Sequence, residues 1–262
     1  MDVAAALAAY NEQVRRNLAD DGTGAVVERD GRIVRRVAPA GHADSCVLWS
    51  DLDEDSADAA IAAQVALFAS RNEPFEWKLY SDDRPADLGD RLRRAGLVPD
   101  EPESLLIGEV AQVLSALSEA DPPPGVSLRA VTGRAGVATL AEVHDQVFGT
   151  DGSALARMLA DQQDQVPDMA VLVVAESGGQ AVCAGRIEFV PDSEFAGLWG
   201  GGTVAAWRGR GIYRALVRFR AQLAAERGAR YLTVDASAES RPILERVGFT
   251  RLATTTPYVW RP

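Results

Sequence analysis

The stretch from residue 198 to residue 214, LWGGGTVAAWRGRGIYR, constrains the fold more than any other part of the chain. Three consecutive glycines lie in an apolar run, a turn of alternating arginine and glycine follows, and apolar residues at helical spacing come next. This order predicts a strand that passes through a tight turn into a helix. Two interpretations fit it: a site for a phosphate-bearing ligand, or a tight turn with exposed arginines.

A helix that starts directly after glycines is suited to binding an anion. The first amide groups of a helix lack backbone acceptors and carry partial positive charge. Gly209 and Gly211 have no side chains, so these amides can approach phosphate oxygens. Arg208, Arg210 and Arg214 add positive charge. We therefore expect a phosphate group to bind at this turn.

The chain divides at its only three-proline run, Pro122 to Pro124. Proline lacks a backbone donor and disfavours helix in the residue before it, so a short linker is predicted here, between domains at residues 1–120 and 121–262. Periodicity after the linker predicts the element order β-α-α-β-β-β-α-β-α-β-β, with residues 249–260 as a closing pair of strands. The predicted class is α+β around one sheet.

An internal repeat relates the two halves. The segment WKLYSDDRPADLGDRLRRAGLV from residue 77 has the layout of YLTVDASAESRPILERVGFTRL from residue 231, and VLWSDLDEDSADAAIAAQVALFAS from residue 47 corresponds to the strand, turn and helix from residue 197. We interpret this as a duplication. The first copy carries DLDEDS, residues 51–56, where the second has the Arg/Gly turn, and four carboxylates there would repel a phosphate. One ligand site per chain is predicted.

Charge and composition exclude several classes of function. The net charge is −11; residues 1–122 carry 24 acidic and 12 basic residues, which argues against a nucleic-acid-binding surface. No apolar run is long enough to span a membrane, and the first residues do not follow the order of a secretory signal. Cys46 and Cys183 lie far apart in strand-like stretches, so we expect buried thiols in a reducing cytoplasm and no metal site.

Residues 126–260 resemble the GNAT family of N-acetyltransferases, whose signature is R/Q-x-x-G-x-G/A. Here the signature reads RGRGIY from Arg208 to Tyr213, with Tyr213 where the family has Gly or Ala. The family's ending, a helix closed by Leu-Gly-Phe, corresponds to residues 247–249, VGF. Residues 1–115 resemble the family weakly, as a degenerate second copy. The resemblance implies two tandem GNAT-like domains, each a mixed, mostly antiparallel sheet flanked by helices.

The resemblance also implies acetyl-CoA as the co-substrate of the second copy. A strand that splays from its neighbour would offer backbone groups to the pantetheine arm at Gly202, Thr203 and Val204. The alternative for the glycines at 200–202 is tight packing against a facing helix. The pyrophosphate would lie against Arg208 and the amides of Gly209, Arg210, Gly211, Ile212, Tyr213 and Arg214. Ser237 replaces the family's Asn after the next strand and could donate one hydrogen bond.

The catalytic groups are less well specified by the sequence. The family's tyrosine acid corresponds to Leu244, so that acid is missing. A carboxylate near the start of the splayed strand is the family's usual base; Glu194 is nearest, although Gly197 occupies the aligned position and Glu194 could be only a solvated charge. Glu188, Asp235 and a water relay are weaker candidates. His144 lies on a helix that borders the acceptor pocket in this family, where it could equally be structural.

By resemblance, the chain is expected to transfer an acetyl group from acetyl-CoA to a primary amine of a small molecule or peptide. The alternative is a non-catalytic module that binds acyl-CoA. The acidic N-terminal half would favour cationic acceptors, or it could serve solubility alone. No nucleic-acid or membrane partner and no metal are expected, and a homodimer is left open.

Overall fold

The computed structural model describes residues 1–20, 22–40, 42 and 44–262. In the N-terminal half, the first helix continues into one π-helical segment, Asn11–Arg16. The helices and strands of this half are, in chain order, α1 (Val3–Tyr10), β1 (Val26–Asp30), β2 (Ile33–Val37), β3 (Cys46–Ser50), α2 (Ala57–Arg71), β4 (Phe75–Tyr80), α3 (Leu88–Arg94), β5 (Val98–Pro99), β6 (Glu103–Glu109) and α4 (Val110–Ala116).

The C-terminal half begins after the three prolines. Its helices and strands are β7 (Val126–Val131), α5 (Gly133–Phe148), α6 (Ser153–Gln165), β8 (Ala170–Ser177), β9 (Gln180–Phe189), β10 (Phe195–Thr203), α7 (Ile212–Glu226), β11 (Tyr231–Ala236), α8 (Arg241–Glu245) and β12 (Thr250–Trp260). A short 3-10 turn, Ala205–Trp207, leads from β10 towards α7. The predicted strand, Arg/Gly turn and helix are therefore present in that order.

The described strands join one continuous sheet. Its order is β1-β2-β3-β4-β12-β6-β11-β10-β9-β8-β7, and β5 pairs with β12. Neighbouring strands are antiparallel except for the parallel pairs β3–β4 and β10–β11. Helices pack against this sheet through apolar side chains, among them Phe68 and Trp77 in the first half and Leu216 and Val217 in the second. The α+β class with a mixed, mostly antiparallel sheet is confirmed.

The structure also contains the repeat that the sequence predicts. In each half a strand runs through a loop into a long helix, and the next strand lies parallel to the first: β3, α2 and β4 in the N-terminal half, and β10, α7 and β11 in the C-terminal half. A short helix follows in both, α3 and α8. The two halves are therefore tandem copies of one arrangement.

The two copies exchange their last strands. β6, from the N-terminal half, pairs with β11 from Glu109 opposite Tyr231 to Ser104 opposite Ala236. β12 pairs with β4 of the N-terminal half. The domain boundary between residues 120 and 121 stays a prediction. A division there does not include the exchange of strands, because β6 and α4 precede the boundary and pack into the core of the C-terminal half.

The predicted closing pair of strands at residues 249–260 is wrong. Residues Thr250–Trp260 form the single strand β12, which pairs with β6 through its first part and with β4 through its second. A local sequence pattern suggests a hairpin because the stretch is long and strand-like throughout. The strands that flank it come instead from the other half of the chain.

Candidate active site

Strands β10 and β11 separate where the Gly-rich stretch begins. They pair in parallel from Phe195 opposite Tyr231 to Gly197 opposite Thr233, and within the described chain they pair no further. Because β11 stays hydrogen-bonded to β6 and β10 to β9, a gap opens between them. The splayed strand expected from the resemblance is therefore present, and the gap lies in the middle of the sheet.

A β-bulge shapes β10 beside this gap. The register with β9 shifts between Trp199 and Gly202, and Gly200 has a positive φ of 57°. A Cβ on Gly202 would lie 2.5 Å from Cγ1 of Val147 on α5, so this glycine allows close packing against a facing helix. The glycine run thus has two causes, a bulge and a helix contact.

Of the three residues expected at the pantetheine arm, Thr203 is the one whose amide faces the gap. The N–H of Val204 donates to the carbonyl of Val182 on β9, at 2.9 Å, so the N–H one residue earlier points away from β9. The Thr203 carbonyl accepts a hydrogen bond from Nε of Arg208 at 3.1 Å. Arg208 thereby holds the Arg/Gly turn to the end of the splayed strand.

The Arg/Gly turn presents a run of free amide groups. Within the described residues, the backbone N–H groups of residues 209–214 donate no hydrogen bond. Gly209 and Gly211 have φ values of 75° and 83°, and no atom lies within 4 Å of a Cβ built on either. Gly211 is the N-cap of α7 and makes no side-chain cap. Free amides beside open space at a helix N-terminus fit a phosphate group.

The corresponding turn of the first copy is closed. Asp53 accepts hydrogen bonds from the Ser56 amide, at 2.9 Å, and from Arg32, at 2.5 Å. The Ala57 amide donates to the Asp53 carbonyl at 3.1 Å. Bonds from Ser56 and Arg32 lower the pKa of Asp53, which keeps the carboxylate charged. The first copy therefore uses its amides internally and places a negative charge where the second copy is open.

Tyr213 does not face outward from the helix start. Its ring lies 3.2 Å from a Cβ built on Gly201 and contacts the buried Arg220, whose side chain is 1% exposed. Burial raises the pKa of Tyr213. Nη1 of Arg220 donates to the Arg186 carbonyl at 3.1 Å. The ring and the guanidinium thus support the bulge of β10 from behind.

Ser237 follows β11 at the mouth of the gap. Its hydroxyl lies 3.3 Å from that of Ser240 and accepts a hydrogen bond from the Ser240 amide, also at 3.3 Å. Its carbonyl accepts from the Arg241 amide at 3.0 Å. The side chain is exposed and its bonds are long, so it can exchange Ser240 for a ligand atom.

A cavity of about 320 Å³ lies on one face of the sheet and reaches the splayed strands. Gly197, Trp199, Thr233 and Asp235 line it from β10 and β11. The N-terminal half supplies the opposite wall, and its lining residues include Tyr10, Val14, Leu48, Lys78 and Tyr80. Sequence reasoning did not find these wall residues because the fold brings them across the sheet from another copy.

The charged side chains of the cavity are paired with one another or with near neighbours. Lys78 forms a salt bridge with Asp235, and Arg186 binds Glu188 at 2.6 Å. Arg15 binds Asp83 at 2.7 Å, and Arg36 binds Asp44. Burial lowers the pKa of Lys78, but the nearby Asp235 and other groups outweigh it, so the pKa is raised and the lysine stays protonated. The acidity of the N-terminal half is therefore not concentrated in this cavity.

Glu188 is the carboxylate best placed at the start of the gap. It stands opposite Gly197 across the β9–β10 pair, so its side chain shares the cavity face. Its Oε1 accepts from Nε of Arg186, while Oε2 has no hydrogen-bond partner among the described residues. Asp235 is more occupied, since Lys78 and the Thr255 hydroxyl bind its two oxygens.

Glu194 is placed differently from what its role as base requires. It is not among the cavity-lining residues, and its side chain accepts from Gln13 at 3.3 Å and from Arg230 at 3.4 Å. Its carbonyl accepts from the Tyr231 amide, so it fixes the start of the β10–β11 pair. This placement disfavours Glu194 relative to Glu188.

Other expected catalytic positions are accounted for by packing. Leu244 is fully buried in the apolar core, so no acid stands there. His144 packs against Phe148 with ring centroids 4.6 Å apart and the ring planes tilted by 43°, and it is not among the cavity-lining residues. The hydroxyls of Tyr10 and Tyr80 lie 3.2 Å apart in the cavity wall. Burial raises the pKa of both, so these phenols remain protonated donors.

The two cysteines are free. Cys183 is buried and Cys46 is half-buried, and burial raises the pKa of Cys183 to about 11. Among the residues that the structure describes, no group of three or more His, Cys, Asp or Glu side chains is arranged to hold a metal ion. In the same part of the chain no helix combines the length and apolarity needed to cross a membrane.

Comparison with known proteins places this site in context. Residues 139–249 match the model of the acetyltransferase (GNAT) family. A GCN5-related N-acetyltransferase from Kribbella flavida is similar over 100% of this chain and 96% of its own, at 19% identity and a TM-score of 0.69. A functionally unknown conserved protein from Staphylococcus epidermidis is similar over 91% and 95%, at 14% identity and a TM-score of 0.67.

A tandem GNAT protein from the clavulanic acid biosynthesis pathway is also similar. The likeness covers 90% of this chain and 81% of that one, at 12% identity and a TM-score of 0.62. At such identities these structures show a shared fold. Among functionally curated proteins, none matches the sequence. The two tandem copies thus have counterparts among solved structures.

Proposed function

Because the C-terminal domain of this chain belongs to the acetyltransferase (GNAT) family, we propose that it transfers an acetyl group from acetyl-CoA to a primary amine. The observation that carries this proposal is the run of free amides at residues 209–214, beside a gap that opens into a cavity with carboxylates. Either feature alone would suit many ligands. Together they suit a phosphate-bearing acyl donor and an acceptor on opposite sides of one sheet.

The residues of the Arg/Gly turn fit the diphosphate of acetyl-CoA. The amides of residues 209–214 would bind its oxygens, and Arg208, Arg210 and Arg214 would balance its charge. The Thr203 amide faces the gap, where it would bind the pantetheine arm, and Ser237 stands at the mouth of the same gap. Gly202 and Val204 would shape the strand through packing and the β9 ladder.

Acetyl-CoA, when bound, supplies the acetyl group as a thioester. The chain must then take a proton from the acceptor nitrogen as the C–N bond forms and the C–S bond breaks. We assign this base role to Glu188, whose Oε2 is free and whose position is fixed by Arg186. Glu194, favoured by the sequence, serves as the comparison. Water can protonate the leaving thiolate, since Leu244 offers no acid.

The test is a titration with acetyl-CoA followed by a turnover assay of free CoA thiol with a panel of primary amines. One acetyl-CoA site per chain and time-dependent thiol release that requires an amine would support the proposal. Tight binding without release across the whole panel would instead support the non-catalytic acyl-CoA-binding module. Absence of acetyl-CoA binding would overturn both.

A further inference from the structure

The part of the cavity that is lined by α6 and by the loop before β3, called its far end, contains two buried acceptor atoms with no donor among the described residues. Gln162 on α6 is 8% exposed and lines the cavity, and its Oε1 accepts no hydrogen bond from the part of the chain that the structure describes. Asp44, which precedes β3, also lines the cavity, and within the same described residues its Oδ1 lacks a partner as well. A buried acceptor without a donor is destabilising, because it has lost its hydrogen bonds to water and gained none in return. Two of them in one cavity indicate a ligand that supplies donors.

The partnered atoms of these side chains fix their orientation. Nε2 of Gln162 donates to the thioether sulfur of Met169 at 3.6 Å, since sulfur is a weak acceptor. Oε1 is therefore the atom of this amide that lacks a hydrogen-bond partner among the described residues. Oδ2 of Asp44 accepts from Arg36. Nε2 of His42 lies 3.7 Å from Oδ2 of Asp161, so the loop before β3 lies close to α6 at this end.

The remainder of the cavity wall is largely apolar. Its apolar lining includes Val14, Leu18, Leu48, Met158, Met169 and Phe189. The charged groups at its inner end are paired, as Lys78 with Asp235 and Arg186 with Glu188. An acceptor that fills this space would have an apolar body between its reacting amine at the gap and a donor group at Gln162 and Asp44.

We propose that the acceptor is an amine with an apolar body and a second hydrogen-bond donor at its far end, which Gln162 and Asp44 bind. This inference rests on the proposed function, since it describes the acceptor of that reaction. The donor can be a hydroxyl or an ammonium group, because both supply the hydrogen that Oε1 and Oδ1 lack.

The test compares n-alkylamines with ω-amino alcohols and α,ω-diamines, from propyl to octyl, by kcat/KM for acetylation. At one or two chain lengths a donor-bearing amine should be about 10-fold better than the alkylamine of equal length, the effect of one hydrogen bond to a buried acceptor. The hydroxyl and diamine series distinguish the two kinds of donor. A diamine preference that Asp44→Asn abolishes would identify an ammonium group.

In Gln162→Leu, donor-bearing amines and alkylamines of equal length should have about the same kcat/KM, while alkylamine turnover is retained. Gln163→Leu is the matched control, because Gln163 is equally buried on the same helix but donates to the Ala170 carbonyl at 3.0 Å and does not line the cavity. It should keep the preference. The melting temperature of each variant identifies misfolding, and Asp44→Ala, which removes the second acceptor atom, is the further test if Gln162→Leu is unfolded.

Two results would overturn this inference and leave the proposed function standing. Alkylamines as efficient as donor-bearing amines at every length would show that the far end binds no donor. A preference that survives both Gln162→Leu and Asp44→Ala would place the donor elsewhere. Failure of every amine while acetyl-CoA still binds would overturn the proposed function, and this inference with it.

Discussion

Glu188 and Gly197 lie directly opposite each other across the β9–β10 pair, at the point where β10 begins to leave β11. A Cβ on Gly197 would lie 2.6 Å from Nε1 of Trp199, so a larger residue at this position would require the Trp199 side chain to move. Cross-strand partners project from the same face of a sheet. The Glu188 side chain therefore lies on the same face of the sheet as position 197, beside the start of the gap.

Glu188→Gln should lower the turnover of an amine by about 10²–10⁴-fold, the range for loss of general base help. The affinity for acetyl-CoA should hardly change, because Glu188 lies on the cavity face and the Arg/Gly turn is intact. Steady-state kinetics and a binding titration measure the two quantities.

Glu194→Gln is the matched comparison, since it removes a carboxylate from the same end of β10. Its bonds to Gln13 and Arg230 are structural, so turnover should fall by no more than about threefold, as for a surface change within about 0.5 kcal/mol. A large loss in Glu194→Gln with little loss in Glu188→Gln would reverse the assignment and restore the sequence-based expectation.

The sequence predicts those parts of the site that are local in the chain. The Arg/Gly turn, the strand before it and the helix after it follow from spacing over fewer than 20 residues. The position of Glu188 depends instead on the register between β9 and β10. That register is set by pairing between strands and cannot be read from one stretch of sequence. The sequence therefore favours Glu194, the carboxylate nearest to the start of β10 along the chain.

The exchange of strands was not predictable for a similar reason. β6 and β12 are both strand-like, and nothing in their local patterns tells which strand each one pairs with. The sequence pattern predicts that residues 249–260 form a hairpin of two strands. In the structure they contain the single strand β12, whose neighbours are β4 and β6. The cavity wall follows from the same long-range pairing, which brings Lys78 and Tyr80 to face β11.

Gly211→Val should abolish acetyl-CoA binding while the domain stays folded. Its φ of 83° is unfavourable for valine, at a cost of roughly 1–3 kcal/mol, and the side chain would occupy the space in front of the free amides. Loss of two charge-assisted hydrogen bonds, each about 1.5–3 kcal/mol, lowers affinity by at least about 100-fold. Isothermal titration measures it.

The same helix offers a matched control in Gly228→Val. Gly228 lies just beyond the C-terminus of α7, with a φ of 75° and no atom within 4 Å of a built Cβ. The two variants share the backbone strain, and only Gly211 is at the proposed phosphate site. Equal affinities of the two folded variants for acetyl-CoA would mean that the Arg/Gly turn does not bind its phosphate groups.

Residues 121–262 expressed alone should not form a stable domain. This segment lacks β6 and α4, which contribute Leu106, Val110, Val113 and Leu117 to the core of the C-terminal half. Burial of such side chains is worth about 1.5–3 kcal/mol each, so their sum is comparable to the whole stability of a domain. Near-ultraviolet circular dichroism and urea unfolding would show the loss of cooperative structure.

A segment that starts at residue 101 retains β6 and α4 and is the matched comparison. It should be more soluble and should unfold more cooperatively than residues 121–262, although β12 still lacks β4. Cooperative unfolding of residues 121–262 with the stability of the whole chain would show that the exchanged strand is dispensable, and would support a boundary at residues 120 and 121.

Glu103 should make the protein less stable as the pH rises. Burial, and next the charge of Asp235, raise the pKa of Glu103 to about 7, with Lys78 opposing them. In the unfolded chain a glutamate titrates near pH 4.3. Between these values the folded state binds the extra proton, so the free energy of unfolding falls as the pH rises from about 4 to about 7.

Glu103→Gln removes this titration and should therefore stabilise the protein above pH 7 and leave it nearly unchanged at about pH 4, where the carboxyl is largely neutral in the folded and the unfolded chain. The gain should be roughly 1 kcal/mol, well below the value for a dry site, because part of the side chain is exposed to solvent. Urea unfolding of both proteins at about pH 4 and at pH 8 measures it. Glu101→Gln, at an exposed position two residues earlier, should change neither value. Equal stabilities of Glu103→Gln and the parent at pH 8 would show that the ionised Glu103 is stabilised by Lys78 as well as it is by water.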